Sequence, residues 1–309
     1  MIKKVTLSDL EKSFGIKKNK FSSKFLQIYK TSDFKYKEIN ENEEQKLIKL
    51  LIEKTINDKR ETGSKKRKIV WQKGWNENLE RFKKNPKNLK SLLPIYNNDN
   101  IYLRFFSKFI IPKDNSFEHN YFRLLQQHLF DTYFKKYNNF YEFGSGTGLT
   151  ALSIANNFPE KKVFATDFVK SSVQIIKTIA RHYNKKIYAE IFDIKKPNYK
   201  YEIKDKSLIF TLGAIEQVKD DYKDFIDYIL KKKPKLVINM EPYKEAFDLK
   251  NHMDLLSYAF IEKRKYANNF LPYLKELEKK KKIKILKIKR TYFGGIMMES
   301  YNYIVWKVI

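Results

Sequence analysis

The sequence predicts an α/β fold, with a parallel sheet and crossover helices over residues 131–309 and a helical region over 1–130. Three observations carry this. From residue 137 on, short runs of β-branched and aromatic residues alternate with longer segments of helical apolar spacing, the pattern of consecutive strand–helix–strand units. Before residue 130 there is helical spacing and little strand signal. Between the first predicted strand and the helix after it stand three glycines at alternate positions, Gly144, Gly146 and Gly148. A glycine-rich turn there lets the backbone bend sharply and approach a ligand with no Cβ in the way.

In chain order, Thr6-Leu7-Ser8-Asp9-Leu10-Glu11 opens a first helix with Thr6 or Ser8 as its N-cap. Residues 43–57 form a second, with Leu47, Leu50, Leu51 and Ile52 as its apolar stripe. Residues 61–68 (ETGSKKRK) are polar and basic and read as a loop. Within it, Lys65-Lys66-Arg67-Lys68 is either solvated or a targeting or anion-binding patch. Trp71 and Trp75 stand four apart and share a helix face, either as core packing or as one wall of a substrate pocket. Residues 117–134 form a helix with Phe122, Leu125, Leu129 and Phe130 inward, leading into the glycine-rich strand.

The predicted strands of the second region are 140–143, 162–166, 187–192, 208–212, 236–240, 283–290 and 301–308. The helices between them are 149–157, 170–183, 222–232 and 268–279. No helix separates the last two strands, which flank Gly294-Gly295 and read as an antiparallel pair. Lysines 279–282 form a solvated run at a helix end, where the helix dipole favours cations.

With 309 residues and 42% hydrophobic content, the chain can bury one large domain, or one domain plus a smaller one. An aromatic share of 16% suggests aromatic packing or a binding groove. The absence of cysteine excludes a disulfide framework, a thiol nucleophile and a Cys-ligated metal. His119, His128, His182 and His252 show no metal-ligand spacing. The start is mixed polar and no apolar run approaches about 18 residues, so neither a signal peptide nor a membrane span is expected, and a cytoplasmic protein is. The net charge of +28 invites a nucleic-acid reading. It comes, however, from 56 lysines spread along the chain and only eight arginines, whereas surfaces that read phosphates and bases also use arginine forks. The charge reads better as composition bias and solvated faces. It would still attract an anionic substrate such as a nucleotide-sugar or phosphorylated glycan.

The chemistry concentrates at predicted strand ends. Glu142-Phe143-Gly144-Ser145-Gly146-Thr147-Gly148 has Leu149 where a dinucleotide fingerprint requires glycine. Glu142, two residues before the first glycine, can meet a cationic amino group. That combination suits S-adenosylmethionine better than a pyrophosphate. Asp167 ends the next strand, either as bidentate acceptor for both ribose hydroxyls or as an ordinary turn aspartate. Phe168 follows it as an expected cofactor contact. Asp193 ends the third strand as acceptor for the adenine amino group or as a turn residue, with Phe192 beside it to cover the ring. The fourth strand ends Leu212-Gly213-Ala214-Ile215-Glu216, facing the sulfonium and the acceptor. Glu216 is a candidate general base or substrate partner, or a helix N-terminal acid. After the fifth strand, Asn239-Met240-Glu241-Pro242-Tyr243 departs from the Asn-Pro-Pro-Tyr signature of amino methyltransferases, because Glu241 interrupts it and it follows the wrong strand. Glu241 and His252 are further candidates for the acceptor side.

Over residues 120–309 the chain resembles class I S-adenosylmethionine-dependent methyltransferases. Glu142, Gly144, Gly146, Asp167 and Asp193 match the family's cofactor positions. Trp71–Leu79, Tyr141–Gly148, Leu212–Gln217, Met240–Tyr243, Phe270–Leu274 and Tyr303–Trp306 resemble, more narrowly, bacterial sugar O-methyltransferases encoded with polysaccharide or capsule genes. The resemblance implies a Rossmann-like seven-stranded sheet in the order 3-2-1-4-5-7-6 with the last strand antiparallel. It also implies S-adenosylmethionine as methyl donor, S-adenosylhomocysteine as product, and a sugar or sugar-phosphate acceptor. The implied cofactor-binding set is Glu142, Gly144, Ser145, Gly146, Gly148, Asp167, Phe168, Phe192, Asp193, Leu212 and Gly213; the catalytic candidates are Glu216, Glu241 and His252. The N-terminal helices and residues 244–266 would cap the pocket. Two other readings stand beside this one: an RNA or protein methyltransferase using the basic surface, and a non-catalytic cofactor-binding or scaffold protein.

Overall fold

The computed structural model describes residues 1–60, 62–93 and 101–309. Its N-terminal part contains β1 (Ile2–Lys4), α1 (Leu7–Phe14), α2 (Ser23–Thr31), β2 (Lys35–Glu38), α3 (Glu41–Ile56), α4 (Lys65–Lys84), β3 (Leu103–Phe105), β4 (Lys108–Pro112) and α5 (Phe117–Thr132). Then follow β5 (Asn139–Phe143), α6 (Leu149–Asn157), β6 (Lys162–Asp167), α7 (Lys170–His182), β7 (Ile187–Ile191), β8 (Ser207–Leu212), α8 (Tyr222–Lys232), β9 (Leu236–Met240), α9 (His252–Arg264), α10 (Phe270–Lys279), β10 (Ile283–Lys289), β11 (Phe293–Gly295) and β12 (Tyr303–Val308).

The larger sheet has seven strands in the order β7-β6-β5-β8-β9-β12-β10, which is the expected 3-2-1-4-5-7-6. Strands β7, β6, β5, β8 and β9 pair in parallel; β12 is antiparallel to both β9 and β10. Both faces are covered, as a parallel sheet requires. The strands therefore send alternate residues into two different cores. Phe140, Leu208, Phe210, Ile238 and Val305 join the N-terminal helices and α6–α7. Tyr141, Phe143, Ile209, Val237 and Trp306 join α8 and α10.

The N-terminal region is not purely helical, which corrects the expectation. Strands β1-β2-β4-β3-β11 form a five-stranded sheet, and its last member comes from the other end of the chain, with Phe293–Gly295 paired to residues 103–105. These strands are three to five residues long and carry lysines at their exposed positions, too short and too charged for a period-two signal. Gly294, expected between strands, lies in β11.

Local signals placed most helix ends. Thr6 caps α1, its hydroxyl accepting from the Asp9 N–H while the Asp9 carboxylate accepts from the Thr6 N–H, a capping box. Of the four stripe residues of α3, only Leu47 and Leu51, one turn apart, turn inward toward Phe109 and Met253, with Ile48 packed beside them. Leu50 and Ile52 are each 42% exposed, so the predicted stripe was too wide. The predicted loop 61–68 is also corrected. Glu61 lies outside the described residues, and from Lys65 the chain is already helix, opened by Ser64, whose hydroxyl accepts from the Arg67 N–H at 3.3 Å. Phe122, Leu125, Leu129 and Phe130 of α5 are buried as expected. Among the described residues, no helix is long and apolar enough to cross a membrane.

Candidate functional site

The register sets the site. Phe143 lies opposite Thr166 on one side and Thr211 on the other. One residue further along the three strands come Gly144, Asp167 and Leu212, side by side at the C-terminal edge of the sheet. That edge is where open parallel sheets meet their ligands.

The turn from β5 to α6 is drawn tight. The N–H groups of Gly144 and Ser145 both donate to the Thr166 carbonyl at 2.9 Å, and the Gly148 N–H donates to the Ser145 carbonyl at 2.8 Å. Gly144 has φ +76°, and a Cβ there would stand 2.5 Å from the Cβ of Ala214. Gly144→Ala therefore combines a left-handed backbone penalty with overpacking. It should cost about 2–5 kcal/mol, read as a lower urea midpoint at unchanged m; a midpoint within error of the parent would refute this account of the turn.

Asp167 ends β6 almost fully buried. One carboxylate oxygen accepts from the Gly146 N–H at 2.9 Å and the other from the Val169 N–H at 3.1 Å. Burial pushes its pKa up to about 6, against the pull of these hydrogen bonds. Glu142 is buried too, and its pKa rises to about 8, chiefly through burial. The neighbouring Ser145 and Thr150 hold that rise back, yet its Oε2 has no hydrogen-bond partner. The Ser145 hydroxyl donates to the Glu142 carbonyl at 3.1 Å. Phe168 is half-buried, with the Lys68 ammonium 5.9 Å from its ring centroid. Asp193 is half-buried at the end of β7 and accepts from the Lys195 N–H at 2.9 Å, an Asx turn. Phe192 corrects an expectation. Its ring packs 4.8 Å from Phe143 and 5.3 Å from Tyr228 inside the α8 core, so it does not face the cleft.

Leu212 and Gly213 are half-buried at the end of β8, and the Gly213 N–H donates to the Met240 carbonyl at 3.0 Å. A Cβ built on Gly213 would meet only one atom within 4 Å, the Glu216 Oε1 at 3.9 Å. Glu216, itself buried, thus reaches back to the strand end beside Gly213. Glu241 points the other way, into the segment after β8, where its two oxygens accept from the Ala214 N–H at 3.2 Å and the Glu216 N–H at 3.3 Å. Both carboxyl groups are buried and hold protons more tightly than an ordinary glutamate. Burial is the main cause for each, and for Glu216 the neighbouring Glu241 charge adds to it.

Around Glu216 stand residues with no separate sequence signal. Gln217 Nε2 donates to Glu216 Oε1 at 2.6 Å. Arg264 pairs with Asp58 at 3.3 Å and lies 3.3 Å from the Tyr266 hydroxyl. The positive charges of Arg264 and Arg67 both oppose the rise in the Glu216 pKa. One signal could have found these arginines. Where lysine is the default cation, the rare arginines are worth locating, and Arg104 and Arg264 are buried while Arg67 and Arg290 are half-buried. Behind Tyr266 is a cavity of about 250 Å³ lined by Lys219, Asp220, Ile261, Glu262, Lys265 and Asn268 as well.

His252 is not brought to this cluster. It starts α9 with its side chain 63% exposed, its Nε2 3.1 Å from Glu44 of α3.

No family model matches the sequence, and no curated protein matches it. Solved structures do. The protein PigF with SAH is 13% identical, with 85% of this chain and 69% of that chain covered and a TM-score of 0.46. Geranyl diphosphate C-methyltransferase from Streptomyces coelicolor A3(2), in complex with Mg2+, geranyl diphosphate and S-adenosyl-L-homocysteine, is 12% identical over 64% and 86%, with a TM-score of 0.45. The O-methyltransferase NcsB1 from neocarzinostatin biosynthesis, in complex with S-adenosylmethionine and 2-hydroxy-5-methyl naphthoic acid, is 9% identical, with a TM-score of 0.42. There 62% of this chain is covered, and the match spans only 58% of that chain's length.

Proposed function

We propose that the chain is an S-adenosylmethionine-dependent methyltransferase acting on a hydroxyl of a small, hydroxyl-rich acceptor of the sugar or sugar-phosphate type. The observation that carries this is the convergence at one sheet edge of the Gly144–Gly148 turn, the Asp167 carboxylate bonded to it, and the Glu216 carboxyl group beside Gly213.

The residues present fit the cofactor. The orphaned Oε2 of buried Glu142 suits a cationic amino group. Asp167 keeps lone pairs beyond its two backbone bonds for ribose hydroxyls. Asp193 stands at the neighbouring strand end for the adenine amino group, and Phe168 offers an apolar face. When bound, the cofactor would supply a methyl group on a sulfonium, a good leaving group that departs neutral. The protein's part is then to orient the acceptor oxygen and to take its proton.

Glu216 is the residue we assign to that proton transfer, since its carboxyl group lies beside Gly213 at the end of β8. Glu241 serves it indirectly, by holding the backbone of residues 214–216 and by raising the proton affinity of Glu216. Gln217 fixes which Glu216 oxygen is engaged. The cavity behind Tyr266 supports a hydroxyl-rich acceptor, because its lining pairs lysines with acids around an aromatic ring and an amide. Asn268 adds a buried Oδ1 with no partner.

Incubation with labelled S-adenosylmethionine and a panel of nucleotide-sugars, glycans and RNA tests the reading. Label is expected on a carbohydrate hydroxyl. Label on RNA would overturn the acceptor class. No cofactor binding at millimolar concentration would overturn the enzyme reading.

A further inference from the structure

We infer that α4 is a wall of the cofactor site itself: the stack Arg67–Trp71–Trp75 forms a roof over the glycine turn that contacts the bound cofactor and opens at Gly74 to admit it. This rests on the cofactor reading above.

The three residues lie at i, i+4 and i+8 and so form one ridge of the helix. The Arg67 guanidinium lies 4.7 Å from the Trp71 ring centroid. The rings of Trp71 and Trp75 stack at 5.3 Å with an interplanar angle of 23°. The ladder ends on the turn: a Cβ built on Gly146 would lie 3.2 Å from Trp75 Cζ2. The same stretch of helix reaches the neighbouring strand ends. Lys68 lies over Phe168 after β6, and the Arg67 charge acts on Glu216 after β8. One helix face therefore spans the ends of β6, β5 and β8, the three strands at which the cofactor residues converge. Flat aromatic surface over such a cleft suits a purine nucleoside.

Gly74 supplies the means of opening. It sits inside a 20-residue helix, and a Cβ built on it would meet nothing within 4 Å. Packing therefore does not require glycine there, and glycine weakens a helix interior by about 1 kcal/mol relative to alanine. The weak point falls between the two stacked tryptophans. On both sides of this point α4 is tied to α7, by the Ser171 hydroxyl donating to the Gln72 carbonyl at 3.0 Å before it and by Phe82 packing 6.1 Å from His182 after it.

The test uses S-adenosylhomocysteine as probe, with binding read by calorimetry and by tryptophan emission. Two of the chain's three tryptophans are in the roof, and Trp306 is buried in the core. Emission is expected to change on titration, and the change to vanish in the Trp71→Phe/Trp75→Phe double variant. Trp75→Ala should bind about tenfold more weakly. Gly74→Ala, which has room for its methyl, should slow association and release together by threefold or more while leaving affinity within twofold. Calorimetric binding with unchanged emission and an unchanged Trp75→Ala affinity would overturn this inference alone. No heat from the unmodified protein would remove the cofactor reading, and this inference with it.

Discussion

Asp167→Ala lowers the affinity for S-adenosylhomocysteine about 10²- to 10⁴-fold. The figure follows from the carboxylate's position. It is fixed by two backbone N–H groups, so its remaining lone pairs need no reorganisation to accept two ribose hydroxyls. Hydrogen bonds to a charged group contribute about 1.5–3 kcal/mol each, and about 1.4 kcal/mol is tenfold in affinity. Two effects on folding oppose each other. The substitution leaves the Gly146 and Val169 N–H groups unbonded, at about 1–3 kcal/mol each, and it removes the cost of burying a charge. The variant should therefore be weakened yet fold, and circular dichroism checks that. A second readout comes from titration. Because burial lifts Asp167 to about 6, affinity in the parent should rise as the pH climbs through that value and be pH-independent there in the variant. Calorimetry showing affinity within threefold of the parent would rule Asp167 out as the ribose ligand.

Glu216→Gln lowers kcat by about 10²- to 10⁴-fold on the acceptor that the labelling panel identifies, the range for loss of a positioned base. Cofactor affinity stays within about twofold, because Glu216 faces the acceptor side. The parent's rate should rise with pH, since a carboxyl group that binds its proton tightly becomes a base only once deprotonated. The same shift has a sign for stability. A carboxyl whose proton affinity is higher folded than unfolded favours the folded state at low pH, and that contribution is lost as the pH rises through its folded pKa. The parent should therefore lose thermal stability from about pH 4.5 to pH 8, by up to about 1.4 kcal/mol per pH unit for each such group. Glu216→Gln should flatten that slope. Wild-type turnover in Glu216→Gln would exclude Glu216 as the base, and an unchanged slope would mean that another buried acid dominates.

The opening loop shows what local pattern can carry. Glycines at alternate positions, an acid ahead of them and an aspartate ending the next strand were legible because each belongs to a strand end or turn, where residue type and backbone conformation are tightly linked. The helices 149–157 and 222–232 were legible to the residue, because long amphipathic segments carry their period in sequence. Phe192 failed for the opposite reason. Whether a strand-end ring turns into the core or over a ligand depends on which neighbours wait there, and Phe143, Phe225 and Tyr228 come from two other elements.

Glu216 and Glu241 mark the limit most clearly. In the sequence they are two glutamates after two strands, each open to the same role. Folding gives one to the backbone N–H groups of residues 214 and 216 and brings the other back beside Gly213 at the strand end. His252 was the last of the three candidates, and the packing of α3 on α9 sets it beside Glu44 at the surface.

The sequence by itself determined the succession of the seven strands of the larger sheet, the glycine turn, and the acids at its edge, because these depend on side-chain period and on backbone conformation within a few residues. Only the tertiary structure decided which glutamate lies beside Gly213, that a short sheet joins the two ends of the chain, and that Trp75 packs against the glycine turn. Those depend on contacts between segments far apart in sequence: Gly146 meets Trp75, Phe293 pairs with Phe105, and Glu216 N–H bonds Glu241. No local period encodes such contacts, because they are set by which faces can be buried together once the whole chain is packed.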